Sequence, residues 1–225
     1  MDLATWISLL AFALASNLDN LGVGVAYGMR HTRMPVAANL VVAGVSTGAT
    51  YLAISAGHSL AQAISLQFAH LLGVLAMAGL GAWICLKALA DGLAQPGDGL
   101  QEVYQLRVRP LGLVISILKE PLQADLDRSG SIDLGEAALL GVALAVNCLA
   151  GGFAVGLVRL PGAAAGTGLV RLPGGATALA VGVLSFLSFW GGWHLGRTAA
   201  SRLIAPRAGV AAGLLMILLA ALAWR

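Results

Sequence analysis

Asp19 is an acidic residue deep inside an apolar stretch that runs from Trp6 to Tyr27, and Asn17 and Asn20 stand beside it. A charge at that depth in a bilayer costs ~2.5 kcal/mol or more, so such a residue is normally paired, protonated or turned toward a polar cavity. Carboxylate and amide oxygens suit divalent ions such as Mn²⁺, Mg²⁺ and Ca²⁺. These residue types therefore indicate a cation site within a membrane, with hydrogen bonding between helices as the alternative.

The pattern around Asp19 returns in the second half of the chain, at residues 142–157. In an ungapped comparison, Asn147 falls on Asp19. The comparison also pairs glycines: Gly24 with Gly152, and Gly28 with Gly156. The chain therefore reads as two related halves, each with a polar group in its first helix.

Hydroxyl groups in the next apolar stretch extend the candidate site. Ser46 and Thr47 lie there and could act as ligands. For these hydroxyl groups, however, hydrogen bonding between helices is the favoured interpretation. The candidate transport site as a whole comprises Asp19, Asn20, Asn17, Asn147, Ser46 and Thr47.

Residues 125–136, DLDRSGSIDLGE, have the spacing of a twelve-residue calcium loop. Such a loop curls around a hard cation, with a glycine at its sharp turn and a glutamate whose two oxygens close the shell; here these are Gly130 and Glu136. The alternative is a capping box, in which Asp133 caps the following helix and Glu136 reaches back to it. The predicted ion is Ca²⁺ or Mn²⁺, and the candidate ligands are Asp125, Asp127, Ser129, the Ser131 carbonyl, Asp133 and Glu136.

The composition excludes a soluble domain. Of the 225 residues, 59% are apolar and 10% are charged, and the mean hydropathy is +0.88. The expected surroundings are a lipid bilayer, and no nucleic-acid partner is expected. Met1 and Asp2 precede the first apolar run without a basic region, so we expect a mature helix there and not a signal peptide.

Six apolar stretches have the length of ~20 residues that a helix needs to cross a bilayer. They are 5–28, 35–57, 68–90, 137–158, 176–196 and 208–224. Two related groups of three spans must run in opposite directions, because three is odd, and this predicts inverted repeats. The expected fold is all-α, that of a polytopic membrane protein. Its first repeat is at 1–90, a cytoplasmic linker at 91–136 carries the calcium-type loop, and the second repeat is at 137–225.

The basic residues predict the orientation, because Lys and Arg concentrate at cytoplasmic span ends. With the N-terminus outside, only three of the thirteen basic residues lie on the outer side: Arg159, Arg171 and Arg225. This predicts a protein of the cell (plasma or inner) membrane with both termini outside. Small residues four apart, among them Gly44 and Gly48, predict close helix packing, and a homodimer is a candidate assembly.

Four pieces of the chain carry a family resemblance: SNLDNLGVGVAYGMR (16–30), ISILKEPLQADLDRSGSIDLGEAALLG (115–141), ALAVNCLAGG (143–152) and LGR (195–197). On these pieces the chain resembles the MntP manganese efflux family, and more closely its sporulation membrane protein branch, YtaF. The resemblance implies a six-helix transporter fold and, for the manganese branch, export of Mn²⁺ driven by the membrane gradient.

The resemblance also implies roles for individual positions. Asp19 matches the acidic residue of the family's first-helix motif. Asn147 takes the place of a second-half aspartate of manganese exporters, and Ser46 and Thr47 stand where those exporters have an acidic residue. The calcium-type loop belongs to the sporulation branch.

The favoured function is a secondary transporter that exports a divalent cation such as Mn²⁺, with the loop at 125–136 as a cytoplasmic cation-binding element. One alternative is a non-transporting, sporulation-type membrane protein whose metal loop organises a partner. Another is an exporter of a small amino acid-like solute. The sequence has no nucleophile–base pairing and no phosphate loop, so an enzyme is not expected.

Overall fold

The computed structural model describes residues 3–93, 124–127, 129–158, 160–161, 169–170, 173–198, 210 and 214–224. Those residues form seven helices and one short antiparallel strand pair. The helices are α1 (Leu3–Ala15), α2 (Leu18–Met29), α3 (Val36–Ala63), α4 (Leu66–Leu93), α5 (Leu134–Leu157), α6 (Gly174–Gly196) and α7 (Leu214–Ala223). The strands are β1 (Leu160–Pro161) and β2 (Leu169–Val170).

Helices α3, α4, α5 and α6 are long and apolar enough to cross a membrane. They confirm the helices predicted at 35–57, 68–90, 137–158 and 176–196. Helix α3 begins directly after Pro35, since a proline suits a helix start, where its missing N–H has no partner to lose. At 28 residues, α3 is ~42 Å long, which exceeds the ~30 Å hydrocarbon core.

The first predicted span, 5–28, is a broken helix and not a continuous one. Helices α1 and α2 are separated at residues 16–17 and bent by 40°. The Asn17 side-chain amide donates to the Ala13 carbonyl (2.7 Å), while the Asn17 backbone N–H donates to the Leu14 carbonyl (3.1 Å). In a continuous helix, the backbone N–H of Asn17 would donate to the Ala13 carbonyl. Here the side-chain amide does so instead, and asparagine interrupts helices through this competition between side chain and backbone.

The sixth predicted span, 208–224, is only partly described. Helix α7 covers Leu214–Ala223, about half of the length that a bilayer core requires. The described part of the chain therefore has four candidate spans, or five when α1 and α2 are taken together. The predicted linker at 91–136 is described only at its two ends, and residues 94–123 lie outside the described residues.

Glycines lie where α2 meets α6 and where α3 meets α5. A Cβ added to Gly28 would meet the Trp193 carbonyl oxygen and the Gly196 Cα. A Cβ added to Gly156 would meet the Gly57 Cα in the same way. Small residues at four-residue spacing therefore bring these helix backbones into direct contact, as the motif predicts.

Gly44 and Gly48 behave differently, and the prediction of close packing at this pair is wrong. Apart from the adjacent residues of α3 itself, no atom of the described residues lies within 4 Å of a Cβ built on either glycine. Both lie on the exposed face of α3, which a membrane would cover with lipid. The homodimer stays a prediction that no described contact tests.

Gly28→Ala should destabilise the protein, because the new methyl group meets two backbone atoms that cannot rotate away. We expect a loss of about 1–3 kcal/mol in the free energy of unfolding, measured as a lower midpoint of thermal unfolding in detergent. Gly48→Ala is the matched control, since it adds the same methyl group in open space and alanine favours a helix by ~1 kcal/mol. Equal midpoints for the two variants would contradict the close contact.

Candidate functional site

Asp19 lies in the first turn of α2, immediately after the break in the helix. Its Oδ2 accepts a hydrogen bond from Asn147 Nδ2 of α5 (2.7 Å), and its Oδ1 accepts one from the Asn20 backbone N–H (2.9 Å). The N-terminus of a helix favours a negative charge, because the unpaired N–H groups of its first turn carry partial positive charge. The structure thus joins the two half-buried residues that the sequence comparison matched, Asp19 and Asn147.

A buried polar network of four side chains lies beside this pair: Asn17, Asn20, Ser46 and Ser185. Asn20 Nδ2 donates to Asn17 Oδ1 and to Ser185 Oγ, each at 2.9 Å. Ser185 Oγ donates in turn to Ser46 Oγ at 3.4 Å. All four residues are at most 1% exposed, and hydrogen bonds across α2, α3 and α6 satisfy their polar atoms, with the exception of Asn20 Oδ1.

Five of the six predicted residues of the intramembrane site are connected in this arrangement. The exception is Thr47, whose hydroxyl donates to the Ala43 carbonyl of its own helix (2.8 Å). Sequence reasoning missed Ser185, which joins the network from α6. A serine inside the apolar span of α6 was the available signal, but no acidic or amide residue stands beside it in the sequence.

Two buried amide oxygens in these helices have no hydrogen-bond partner among the described residues: Asn20 Oδ1 and Asn39 Oδ1. Asn39 Nδ2 donates to the Phe186 carbonyl of α6 (3.1 Å), a hydrogen bond between helices. A buried polar atom without a partner costs about 1–3 kcal/mol. Amide oxygens together with a carboxylate form a ligand set that hard divalent cations accept.

The predicted calcium loop brings three carboxylates together. Oxygens of Asp125, Asp127 and Glu136 lie within 4.8 Å of one another. Gly130 has φ +75°, the left-handed conformation that glycine adopts freely, at the sharp turn of such a loop. Asp125 Oδ1 is buried and has no hydrogen-bond partner among the described residues. Clustered carboxylates repel one another unless a cation or protons offset their charge, so this donor set fits a divalent cation.

The structure also contains the predicted capping box. Asp133 is the N-cap of α5: its Oδ1 accepts from the Glu136 N–H (2.7 Å), and Glu136 Oε2 accepts from the Asp133 N–H (3.1 Å). Glu136 Oε1 accepts from the Leu126 N–H (2.7 Å). Ser129 Oγ donates to the Ser131 carbonyl (2.8 Å). Of the six predicted ligands, the structure therefore groups three carboxylates, one of which also serves the cap.

The charge state of the loop is set partly by Ser129. A hydrogen bond from the backbone N–H of Ser129 (2.9 Å) holds the pKa of Asp127 below its usual range, because it stabilises the charged form. The Asp127 carboxylate therefore stays ionised at pH values where an ordinary aspartate takes up a proton, and it is available to a cation there.

The loop is connected to both halves of the chain by hydrogen bonds, by packing and by the chain itself. Its end is the start of α5, and its middle pairs with Arg33 in the connection between α2 and α3. The Arg33 N–H donates to the Gly130 carbonyl (2.8 Å), and the Ile132 N–H donates to the Arg33 carbonyl (3.0 Å). Ile132 is 1% exposed and packs in an apolar cluster with Tyr27 of α2. The loop is therefore in contact with the helix that carries Asp19.

Comparison with known proteins identifies a relative of this chain. No protein-family model matches it, and no solved structure matches it. The probable sporulation protein YtaF of Bacillus subtilis (strain 168) is 34% identical over 155 residues, which are 68% of this chain and 73% of the relative. This identity confirms the resemblance to the sporulation membrane protein branch, YtaF. The chain is a polytopic membrane protein that belongs to the family of the probable sporulation protein YtaF.

Proposed function

We propose that the chain is a secondary transporter that exports a divalent cation such as Mn²⁺ past the Asp19–Asn147 pair. The observation that carries the proposal is the contact of these two side chains, at 2.7 Å, beside a broken helix. Discontinuous helices are a recurrent feature of ion sites in membrane transporters, because their free ends supply oriented backbone groups. Amide, hydroxyl and carboxylate oxygens around the break supply ligands for such an ion. An enzymatic role is not part of the proposal.

The proposed architecture has six spans in two inverted repeats, at 1–90 and 137–225. Its first support is the pairing of helices: α2 packs against α6, and α5 packs against α3. The first predicted span of each half thus contacts the second predicted span of the other half. Inverted repeats related by a two-fold axis in the membrane plane produce this exchange.

Residue spacing gives the second support for inverted repeats. Asp19 and Asn147, which the sequence comparison matches, touch each other 128 residues apart. Ser46 and Ser185 also touch, 139 residues apart, and Gly57 and Gly196 have that same separation. In an inverted repeat, equivalent residues that touch each other lie on the two-fold axis, so these contacts support an axis that passes through the polar cluster, at the interface between the proposed halves.

The loop at 125–136 is proposed to bind Ca²⁺ or Mn²⁺ through Asp125, Asp127 and Glu136. Its attachment to α2 through Arg33 and Ile132 supports a role in sensing or capturing the cation for the intramembrane site. When bound, the ion would offset the mutual repulsion of the three carboxylates. Loading of the loop would then bias the position of the α2 C-terminus.

Reconstituted proteoliposomes test the function. The full-length protein should move Mn²⁺, or another divalent ion of a panel that includes Mg²⁺ and Ca²⁺, faster than empty liposomes do. Export of a small amino acid without any metal flux would support the solute exporter instead. Absence of flux for every ion and solute tried would contradict a transporter.

A non-transporting role is the second candidate function, and the attachment of the loop to α2 and α5 favours it too. The relative's designation as a probable sporulation protein is consistent with a membrane protein whose metal loop organises a partner. This candidate predicts cation binding at the loop without any flux. Binding measurements and flux measurements on the same preparation therefore separate the two functions.

The proposed orientation in the plasma or inner membrane places both termini outside and the loop inside. A cysteine at Leu126, an exposed residue of the loop, should be protected from an impermeant thiol reagent in intact cells. A cysteine at Gly166 should be labelled, since the basic residues place that segment outside. Cys85 and Cys148 are replaced by serine beforehand. The reverse labelling pattern would invert the topology.

A further inference from the structure

A cavity of about 650 Å³ opens at the face of the bundle that carries the acidic loop. It lies between the end of α2, the start of α3 and the end of α6. Its volume is within the range of small-molecule sites. The lining residues that matter here are His31, Arg33, Pro35, Ser131, Trp193 and Arg197.

The walls of this cavity carry an excess of positive charge. Arg33 and Arg197 contribute two guanidinium groups, and His31 adds an imidazole. No Asp or Glu is among the described residues that line it. The nearby carboxylates of Asp125 and Glu136 instead accept hydrogen bonds from backbone N–H groups of the loop and the cap. Guanidinium groups bind phosphate through two parallel N–H donors, so they are well suited to such an anion.

Trp193 contacts both the α2–α3 connection and Arg197 at the edge of the cavity. Its indole Nε1–H donates to the Thr32 carbonyl (2.8 Å), which ties α6 to the connection between α2 and α3. The Arg197 guanidinium lies over the indole, 4.9 Å from the ring centroid. Stacking on an aromatic face leaves the N–H edge of a guanidinium available to an anion.

His31 has φ +55° and is the one non-glycine residue in the described ranges with a positive φ. It follows the end of α2, where the Thr32 N–H donates to the Tyr27 carbonyl (3.2 Å) and the His31 N–H donates to the Gly28 carbonyl (3.1 Å). Glycine is favoured at this position of a helix terminus, because any Cβ is strained there. Retained strain points to a functional use of the side chain, and this side chain lines the cavity.

We propose that the cavity binds a phosphate group, carried either by an anionic phospholipid headgroup or by a soluble phosphate compound. Basic pockets between membrane helices are suited to such headgroups. The cavity also borders the acidic loop, since Ser131 lines it and Arg33 is hydrogen-bonded to the loop backbone. The lining of the cavity and the acidic loop therefore meet at one β-bridge, between Arg33 and Ser131. The site stands apart from the proposed transport, and its test does not require flux.

Binding is measured on the purified full-length protein as the rise in the thermal-unfolding midpoint during a titration. One arm adds dioleoylphosphatidylglycerol in mixed micelles, with dioleoylphosphatidylcholine as the zwitterionic reference. The other arm adds inorganic phosphate in lipid-free detergent. A response to phosphatidylglycerol alone identifies a lipid headgroup as the source, and a response to inorganic phosphate shows that soluble phosphate suffices.

Arg33→Gln and Arg197→Gln should each weaken binding roughly tenfold to a hundredfold, because a charge-assisted hydrogen bond is lost. Arg30→Gln is the matched control: Arg30 is an exposed arginine at the end of α2 that does not line the cavity. His31→Gly should weaken binding while raising the midpoint of the ligand-free protein, since the backbone strain is relieved.

Three results would overturn the proposal. One is the absence of any response to both phosphatidylglycerol and inorganic phosphate. Another is wild-type binding in the Arg33, Arg197 and His31 variants. The third is an equal loss of binding in Arg30→Gln, which would mean that surface charge alone attracts the anion.

Discussion

Asp19→Asn should abolish divalent-cation transport and leave the helix bundle assembled. The asparagine keeps the size of the side chain and one oxygen that can accept the Asn147 hydrogen bond (2.7 Å in the native pair). It removes the negative charge, and a neutral amide cannot offset the loss of water from a divalent ion as a carboxylate does. We expect flux in proteoliposomes to fall to the level of empty liposomes, while the protein elutes as a folded species in detergent.

Ser59→Ala is the control for this experiment. Ser59 also lies in a membrane helix, but its exposed hydroxyl donates only to the Ser55 carbonyl of its own helix (3.0 Å). Its loss should leave transport unchanged. Wild-type flux in Asp19→Asn would identify the carboxylate as a structural hydrogen-bonding group and would remove it from the transport site.

Glu136→Gln should weaken binding of Ca²⁺ or Mn²⁺ at the loop by about tenfold or more, because a glutamate at the last loop position closes the ion's shell with both oxygens. The same change should lower the metal-free stability by about 1–3 kcal/mol at most. Glutamine keeps one acceptor oxygen for the capping box, while one of the two backbone N–H groups bound by Glu136, those of Leu126 and Asp133, loses its acceptor. Calorimetry with each ion measures the affinity, and thermal unfolding in the presence of a chelator measures the metal-free stability.

This pair of measurements separates the two roles that the structure gives to Glu136. A variant that binds the ion like the wild type but unfolds earlier would mean that the carboxylate serves the cap alone. Leu126→Ala is the matched control within the loop: its side chain has no ligand oxygen, and the backbone N–H that donates to Glu136 Oε1 remains. Ion affinity should be unchanged in this control.

Apolar length was sufficient to predict α3, α4, α5 and α6. A helix that crosses a bilayer must be ~20 apolar residues long and must form all of its backbone hydrogen bonds within itself. Both requirements depend only on contiguous residues. The start of α5 at Leu134, three residues before the predicted bound, follows from the Asp133 cap. The broken first span was harder to predict. Asn17 interrupts the helix because its side-chain amide, and not its backbone N–H, donates to the Ala13 carbonyl, and the residue type alone does not decide between these two donors.

The sequence by itself determined the membrane class, most of the long helices and the acidic loop, because each of these depends on residues close together in the chain. Only the tertiary structure decided which distant groups meet. Asn147 reaches Asp19 across 128 residues, and Ser185 reaches Asn20 across 165. Helical periodicity carries no information over such distances. Close packing at glycine contacts between helices brings these side chains together.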